Sequence, residues 1–165
     1  EPLITMAVRD GNGVILAESA DLSPMHPEKA LIVSNDFDEF SRETHLEVIR
    51  AVAEAASLCE THDGREETVE ILARPHYLGI DPDLLRSSLF AGEPNEHGEV
   101  TSKNFHIFSH PEVNRPPSDK ANWLVSHMRN SGLLDQVDIK EGPPLSEIFR
   151  EDIFEEATNL TTAAA

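Results

Sequence analysis

Asn114-Arg115-Pro116-Pro117-Ser118-Asp119-Lys120-Ala121-Asn122-Trp123-Leu124-Val125-Ser126-His127-Met128-Arg129 is the stretch whose reading decides the fold. The two prolines end whatever precedes them, and Ser118 follows as a residue suited to cap a helix. Trp123, Leu124, Val125 and Met128 give that helix substantial apolar surface, and Gly132 supplies a C-terminal stop. Downstream, Pro143-Pro144 precedes a last amphipathic helix over residues 145–157, with Ile148, Phe149, Ile153 and Phe154 on its apolar side. The Thr-Thr-Ala-Ala-Ala end reads as a frayed tail.

Upstream, residues 91–117 are rich in Gly, Pro, Asn and charge, and only Phe105-His106-Ile107-Phe108 looks strand-like. Asp81-Pro82 starts a helix, Asp81 as N-cap and Pro82 at the first helical position, where a missing N–H costs nothing. Phe40, Leu46, Ile49, Val52, Ala53 and Ala56 recur at three- and four-residue steps and predict a helix from about 40 to Cys59. Thr61-His62-Asp63-Gly64 closes it, a second helix runs over 65–73, and Pro75 ends that one. At the front, residues 3–8 form a short apolar run of strand or buried-helix type, and 14–17 and 30–33 are continuous apolar runs of the kind found in strands covered on both faces. Asp10-Gly11-Asn12-Gly13 marks a turn between the first two. The expected class is α/β and helix-rich, with two or three short parallel strands followed by about five helices. Such strands need neighbours, expected in an N-terminal portion outside these residues or in another chain.

At 165 residues the chain suffices for one ordinary domain. Lys and Arg total 13 against 31 Asp and Glu, a formal charge of −18, which argues against nucleic-acid binding because a phosphate backbone needs a basic stripe. The same field opposes anions at long range, so capture of one would depend on short-range hydrogen bonds and a local cation. A single cysteine, Cys59, excludes an intramolecular disulfide and offers no zinc signature. No run approaches the roughly 20 apolar residues of a membrane span, and no charged-then-apolar leader is present.

No glycine-rich phosphate cradle, nucleophile elbow or HExxH helix occurs, so catalysis has no motif to rest on, and no cofactor is implied. His106 and His110 are four apart, but Ile-Phe-Ser lies between them and Pro111 follows, which favours a strand or loop over a metal-binding helix. His26-Pro27-Glu28-Lys29 joins a loop to an apolar run, a place where α/β proteins bind ligands. Lys29, one of four lysines, could hold a small oxyanion beside backbone N–H groups, or simply lie in solvent at the start of a strand. Glu28 is less committed. Arg115 could bind an anion too, though an arginine locking a loop onto a carboxylate is the commoner arrangement.

The chain resembles the C-terminal part of the nitrate/bicarbonate-type solute-binding proteins of ABC importers. Glu1-Pro2, Ala7-Val8 and Gly13-Val14-Ile15-Leu16-Ala17 resemble the family stretch after a Gly-Glu-Pro-Trp motif, and His26-Pro27-Glu28-Lys29-Ala30-Leu31 resembles its His/Asn-Pro-Glu-Lys-Val-Leu element. Ala73-Arg74-Pro75-His76-Tyr77-Leu78 and the segment 114–132 resemble two later elements, in the family's order and spacing. The resemblance implies a two-lobed, type II periplasmic-binding fold closing on nitrate, nitrite, bicarbonate or a related oxyanion. Residues 1–33 would form the end of the second lobe and the crossover strands, 34–158 a C-terminal helical part packing on the first lobe, and 159–165 the tail. It places Glu1, Pro2, Glu28 and Lys29 at the ligand, with a permease and an ATPase as partners and the membrane reached only through them. Leu3 stands where the family often has Trp, which implies a cleft without that aromatic wall, and Ser131 replaces another Trp near the helix end.

Three functions compete on this reading. One is a periplasmic protein delivering a small oxyanion to an importer; another is a cytoplasmic or ATPase-fused relative that senses it. The third is an interaction module that has lost its ligand, for which Leu3 is the argument.

Overall fold

Asp81 does what its position predicts: its carboxylate accepts from the backbone N–H groups of Asp83 (2.8 Å) and Leu84 (3.3 Å), and Pro82 opens the helix. The structure, a computed structural model, describes residues 1–23, 25–91, 106–135 and 143–162, with side chains to Asn159. In chain order the helices are α1 (Leu3–Arg9), α2 (Ser19–Leu22), α3 (Asn35–Phe40), α4 (Arg42–Leu58) and α5 (His62–Leu72), then α6 (Pro82–Leu89), α7 (Pro111–Asn114), α8 (Ser118–Asn130), α9 (Leu145–Ile148) and α10 (Glu151–Thr162). Among the described residues there is no strand.

The expected strands are not seen among the described residues, and of the two readings open for residues 3–8 the helix is the one realised, though not as a buried one. Residues 3–8 lie in α1, where the Glu1 carboxylate accepts from the Thr5 backbone N–H (3.2 Å) and hydroxyl (2.7 Å), serving donors that a helix start leaves open. Residues 14–17 and 30–33 lie outside regular structure, with Leu16 93% and Ile32 86% exposed. A strand is stabilised by a ladder to its neighbour and by cross-strand side-chain contact. Neither segment finds one among the described residues. Residues 106–110 are likewise outside regular structure, while Phe105 lies beyond the described part.

The chain divides into two units, each assembled from two stretches: Glu1–His26 with Ala55–Ser109, and Pro27–Glu54 with His110–Ala165. In the first, α5 and α6 pack together and α1 packs on α6. Their core is Val69, Leu84 and Leu85, all essentially inaccessible, each contributing on the order of 1.5–3 kcal/mol by burial. Gly79, at φ +62°, closes the α5–α6 turn, its N–H and that of Leu78 donating to the Leu72 carbonyl. Thr61 caps α5 by accepting from Gly64 N–H (3.0 Å), so Thr61–Gly64, expected to be a break, contains the first turn of α5.

In the second unit, Leu46 and Ile49 of α4 pack on Ile153 and Ala157 of α10, and α8 packs on α9. Ser34 caps α3 by accepting from Phe37 N–H (3.1 Å), making a separate helix of residues expected to lead into α4. Ser118 is the first residue of α8 rather than its cap, a position held by Pro117. Gly132, at φ +76°, stops α8 as expected, its N–H donating to Arg129 and that of Leu133 to Met128. The single helix expected over 145–157 is two: the chain leaves helical geometry at Phe149 (ψ 89°), and Arg150 lies between α9 and α10.

Candidate functional site

The four residues assigned to a ligand are divided between the two units. Glu1 and Pro2 precede α1 in the first unit; besides Thr5, the Glu1 carboxylate accepts from the Ser88 hydroxyl at 3.5 Å. This carboxylate is engaged in holding a helix start. Glu28 and Lys29 belong to the second unit, exposed on the segment that leads into residues 30–33. Arg115 follows the commoner arrangement, its guanidinium lying 3.0 Å from Glu151. The two histidines are each engaged locally: His110 Nδ1 accepts from Glu112 N–H (3.1 Å), and His106 Nε2 lies 3.1 Å from the Ser88 carbonyl. Burial holds the His106 imidazole below the usual histidine range.

The most connected group of charges is one the sequence reading did not single out. Asp38 of α3 accepts from Arg42 Nη1 (2.5 Å) and faces His45 Nδ1 (2.8 Å), both on α4, while Arg150 Nη1 stands 3.6 Å away. Arg42 also reaches Glu156 of α10, and Arg150 grips Asp152 through Nε (2.8 Å) and Nη2 (2.7 Å). His45 is buried, with its ring edge-on to Phe37 at 5.8 Å. Burial pushes the Asp38 carboxyl up, but the hydrogen bonds from His45 and Arg42 outweigh it and hold the group below its ordinary value of 3.8. The bidentate bond from Arg150 takes Asp152 from 3.8 down to about 2. The one signal in the sequence was the Asp38/Arg42 spacing of four residues.

A carboxyl held below its ordinary value in the folded state stabilises the fold above that value and ceases to do so as pH falls through the folded value. Acid loss of stability in this unit is therefore expected to begin below the ordinary 3.8 and to continue toward about 2. Trp123, the sole tryptophan, lies in this unit and reports the transition by fluorescence in urea melts at stepped pH. Asp38→Asn should flatten the pH dependence across that window; an unchanged slope would show that Asp38 contributes nothing to it.

An open depression in the same unit is lined by Ser118, Glu147, Arg150, Glu151, Asp152 and Glu155 among others. Four of these six are carboxylates, and its arginine is already bound to Asp152, so the depression is ill suited to an anion. Lys120 donates to the carbonyls of Val113 (2.7 Å) and Arg115 (2.9 Å), fixing the approach to α8; burial lowers its pKa from the ordinary lysine value. Among the described residues no group of three or more His, Cys, Asp or Glu is placed to hold a metal ion, and no helix is long and apolar enough to cross a membrane.

Comparison with known proteins finds similarity to one family model and to several transport proteins. The sequence model of the NMT1-like family matches residues 1–73. The nitrate import ATP-binding protein NrtC of Synechocystis sp. is 27% identical over 95% of this chain and 24% of its own length. Its counterpart from Synechococcus elongatus is 28% identical over 95% of this chain and 24% of its own. The bicarbonate transport ATP-binding protein CmpC of Synechocystis sp. is 26% identical over 80% of this chain and 20% of its own. The chain thus spans about a quarter of the length of the first of these relatives. No solved structure matches it. The resemblance to nitrate- and bicarbonate-transport proteins is supported by the NMT1-like match over 1–73, and the relatives bear the names of ATP-binding components.

Proposed function

We propose that this chain is a solute-binding module for a small oxyanion of the nitrate or bicarbonate type, working with an ABC importer. The observation that carries the reading is the coincidence of two matches on one stretch. Residues 1–73 fit the NMT1-like family, and 95% of the same chain aligns with nitrate import ATP-binding proteins. The chain has no glycine-rich phosphate cradle of the kind that holds ATP phosphates. A solute-binding role accounts for a stretch of that kind.

Lys29 is our candidate for the cation that meets the ligand. It is exposed and has no hydrogen bond or ion pair among the described residues. In a protein of charge −18, an ammonium with backbone N–H groups beside it is the short-range attraction an anion would need. Residues 14–17 and 30–33, apolar and β-branched but unpaired, would join a sheet on meeting neighbouring strands, giving the two-lobed arrangement that the resemblance implies. Glu28 would flank Lys29 at the mouth of the site.

Nitrate and bicarbonate are expected to raise the melting temperature of the protein, by about 2.7 kcal/mol of stabilisation when the free ligand is at a hundred times its Kd. Lys29→Gln should remove most of that gain and leave the ligand-free melting temperature unchanged. Equal gains in the variant would reject Lys29 as the cation; no gain in either form of an intact protein, with the neighbouring strands present, would favour a module that has lost its ligand.

The relatives' names favour a second form of the same function, in which the module is tied to an ATPase and reports ligand occupancy to it. Cell fractionation followed by immunoblotting separates the two forms. A delivering protein is periplasmic and meets the permease and ATPase only at the membrane, whereas a sensor stays on the cytoplasmic side in association with the ATPase.

A further inference from the structure

The end of α4 carries a carboxylate in an unusual setting. Glu60 Oε1 accepts from two successive backbone N–H groups, those of Phe108 and Ser109, the latter at 2.7 Å. Its other oxygen faces Arg65 Nη2 at 3.9 Å. Arg65 is only 7% exposed, and its position is set by donation to the Cys59 carbonyl through Nε (2.8 Å) and to the Leu89 carbonyl through Nη1 (3.1 Å). Its guanidinium carbon lies 5.6 Å from the centre of the Phe108 ring. All these residues belong to the first unit.

Two consecutive amides aimed at one oxygen form the concave donor pair that binds anions elsewhere in proteins, and a buried guanidinium held in place by backbone carbonyls adds a fixed positive charge at the rim. We propose that the Phe108 and Ser109 amides together with Arg65 constitute a carboxylate-binding site whose resident ligand is the side chain of Glu60, and that a small free carboxylate of formate's size takes the place when Glu60 is removed. The Glu60 side chain is 33% exposed, so dissolved anions reach the site from solvent. Tethering gives the intramolecular carboxylate a high effective concentration, which is why the native protein should ignore free carboxylates. The bond also fastens residues 106–110 to the α4–α5 junction, alongside the 3.0 Å contact of the Ser57 and Ser109 hydroxyls, so occupancy of the site and order of that segment are linked.

The test is the thermal stability of the full chain and of Glu60→Ala, each titrated with sodium formate and, at matched ionic strength, sodium chloride. Glu60→Ala should melt below wild type, and formate should restore most of that loss while chloride does not. Wild type should respond to the two salts alike. Glu60→Gln, which fills the pocket without a charge, should lose the selective response to formate. Equal effects of formate and chloride on Glu60→Ala, or an equal formate gain in wild type, would overturn the proposal. A Glu60→Ala chain unfolded in buffer that folds on adding formate supports it, and one that stays unfolded in both salts counts against it.

Discussion

Gly64→Ala is expected to lose about 3 kcal/mol or more of stability, the upper range for forcing atoms into a packed site. The sign is the informative part, because helix propensity alone predicts the reverse: Gly64 lies inside α5, and replacing a helical glycine by alanine ordinarily gains about 1 kcal/mol. Here an added Cβ would stand 2.0 Å from the Leu58 carbonyl oxygen and 2.7 Å from the Thr61 hydroxyl. The first neighbour is backbone at the end of α4, and the second is the oxygen that caps α5 through Gly64 N–H. Neither can withdraw without parting the two helices or breaking the cap. Urea unfolding followed by far-ultraviolet circular dichroism, with Tyr77 as the sole tyrosine and a reporter in the first unit, measures the loss. A stability equal to or above wild type would mean that the junction is looser than described.

Arg65→Ala is the second large effect, expected at about 3–4 kcal/mol. Hydrogen bonds from charged groups contribute about 1.5–3 kcal/mol each, and deleting the donor leaves its acceptors with nothing in exchange. The guanidinium spans the Cys59 carbonyl at the end of α4 and the Leu89 carbonyl at the end of α6, so its loss uncouples two helix termini whose last carbonyls need donors. Arg65→Lys should recover little, since one compact ammonium on a flexible stem cannot reproduce a planar fork reaching two carbonyls. The comparison separates geometry from charge: full recovery by lysine in chemical denaturation would show that positive charge is all the site requires. Against a typical domain stability of about 5–15 kcal/mol, either variant removes a substantial part of the total.

Helices with strong local signals were legible before any coordinates. The α4 periodicity, the Asp81-Pro82 start of α6 and the Gly132 stop of α8 depend on near neighbours in the chain, and each appears where it was expected. The misplaced features share a different cause. Residues 14–17 and 30–33 are apolar and β-branched, which licenses a strand only when a partner supplies the ladder. With none among the described residues, both lie outside regular structure and are largely exposed, while residues 3–8, whose pattern fits a strand or a helix, form α1. The break at Phe149 and Arg150 was equally hidden, because the Arg150 guanidinium turns partly toward Asp38, more than a hundred residues away.

The site residues divide in the same way. Lys29 could be proposed as a candidate from the sequence because a lysine before an apolar run is a local pattern. The Glu60 carboxylate on the Phe108 and Ser109 amides could not, since 48 and 49 residues separate the partners. By itself the sequence determined the helix-rich composition, an acidic field that argues against a nucleic-acid partner, the Asp81 cap and the Gly132 stop, and a likeness to oxyanion-transport proteins, all of which follow from residue type and short-range spacing. Only the tertiary structure decided which carboxylates and arginines meet, because chain topology brings charges together across long separations and burial then sets their strength.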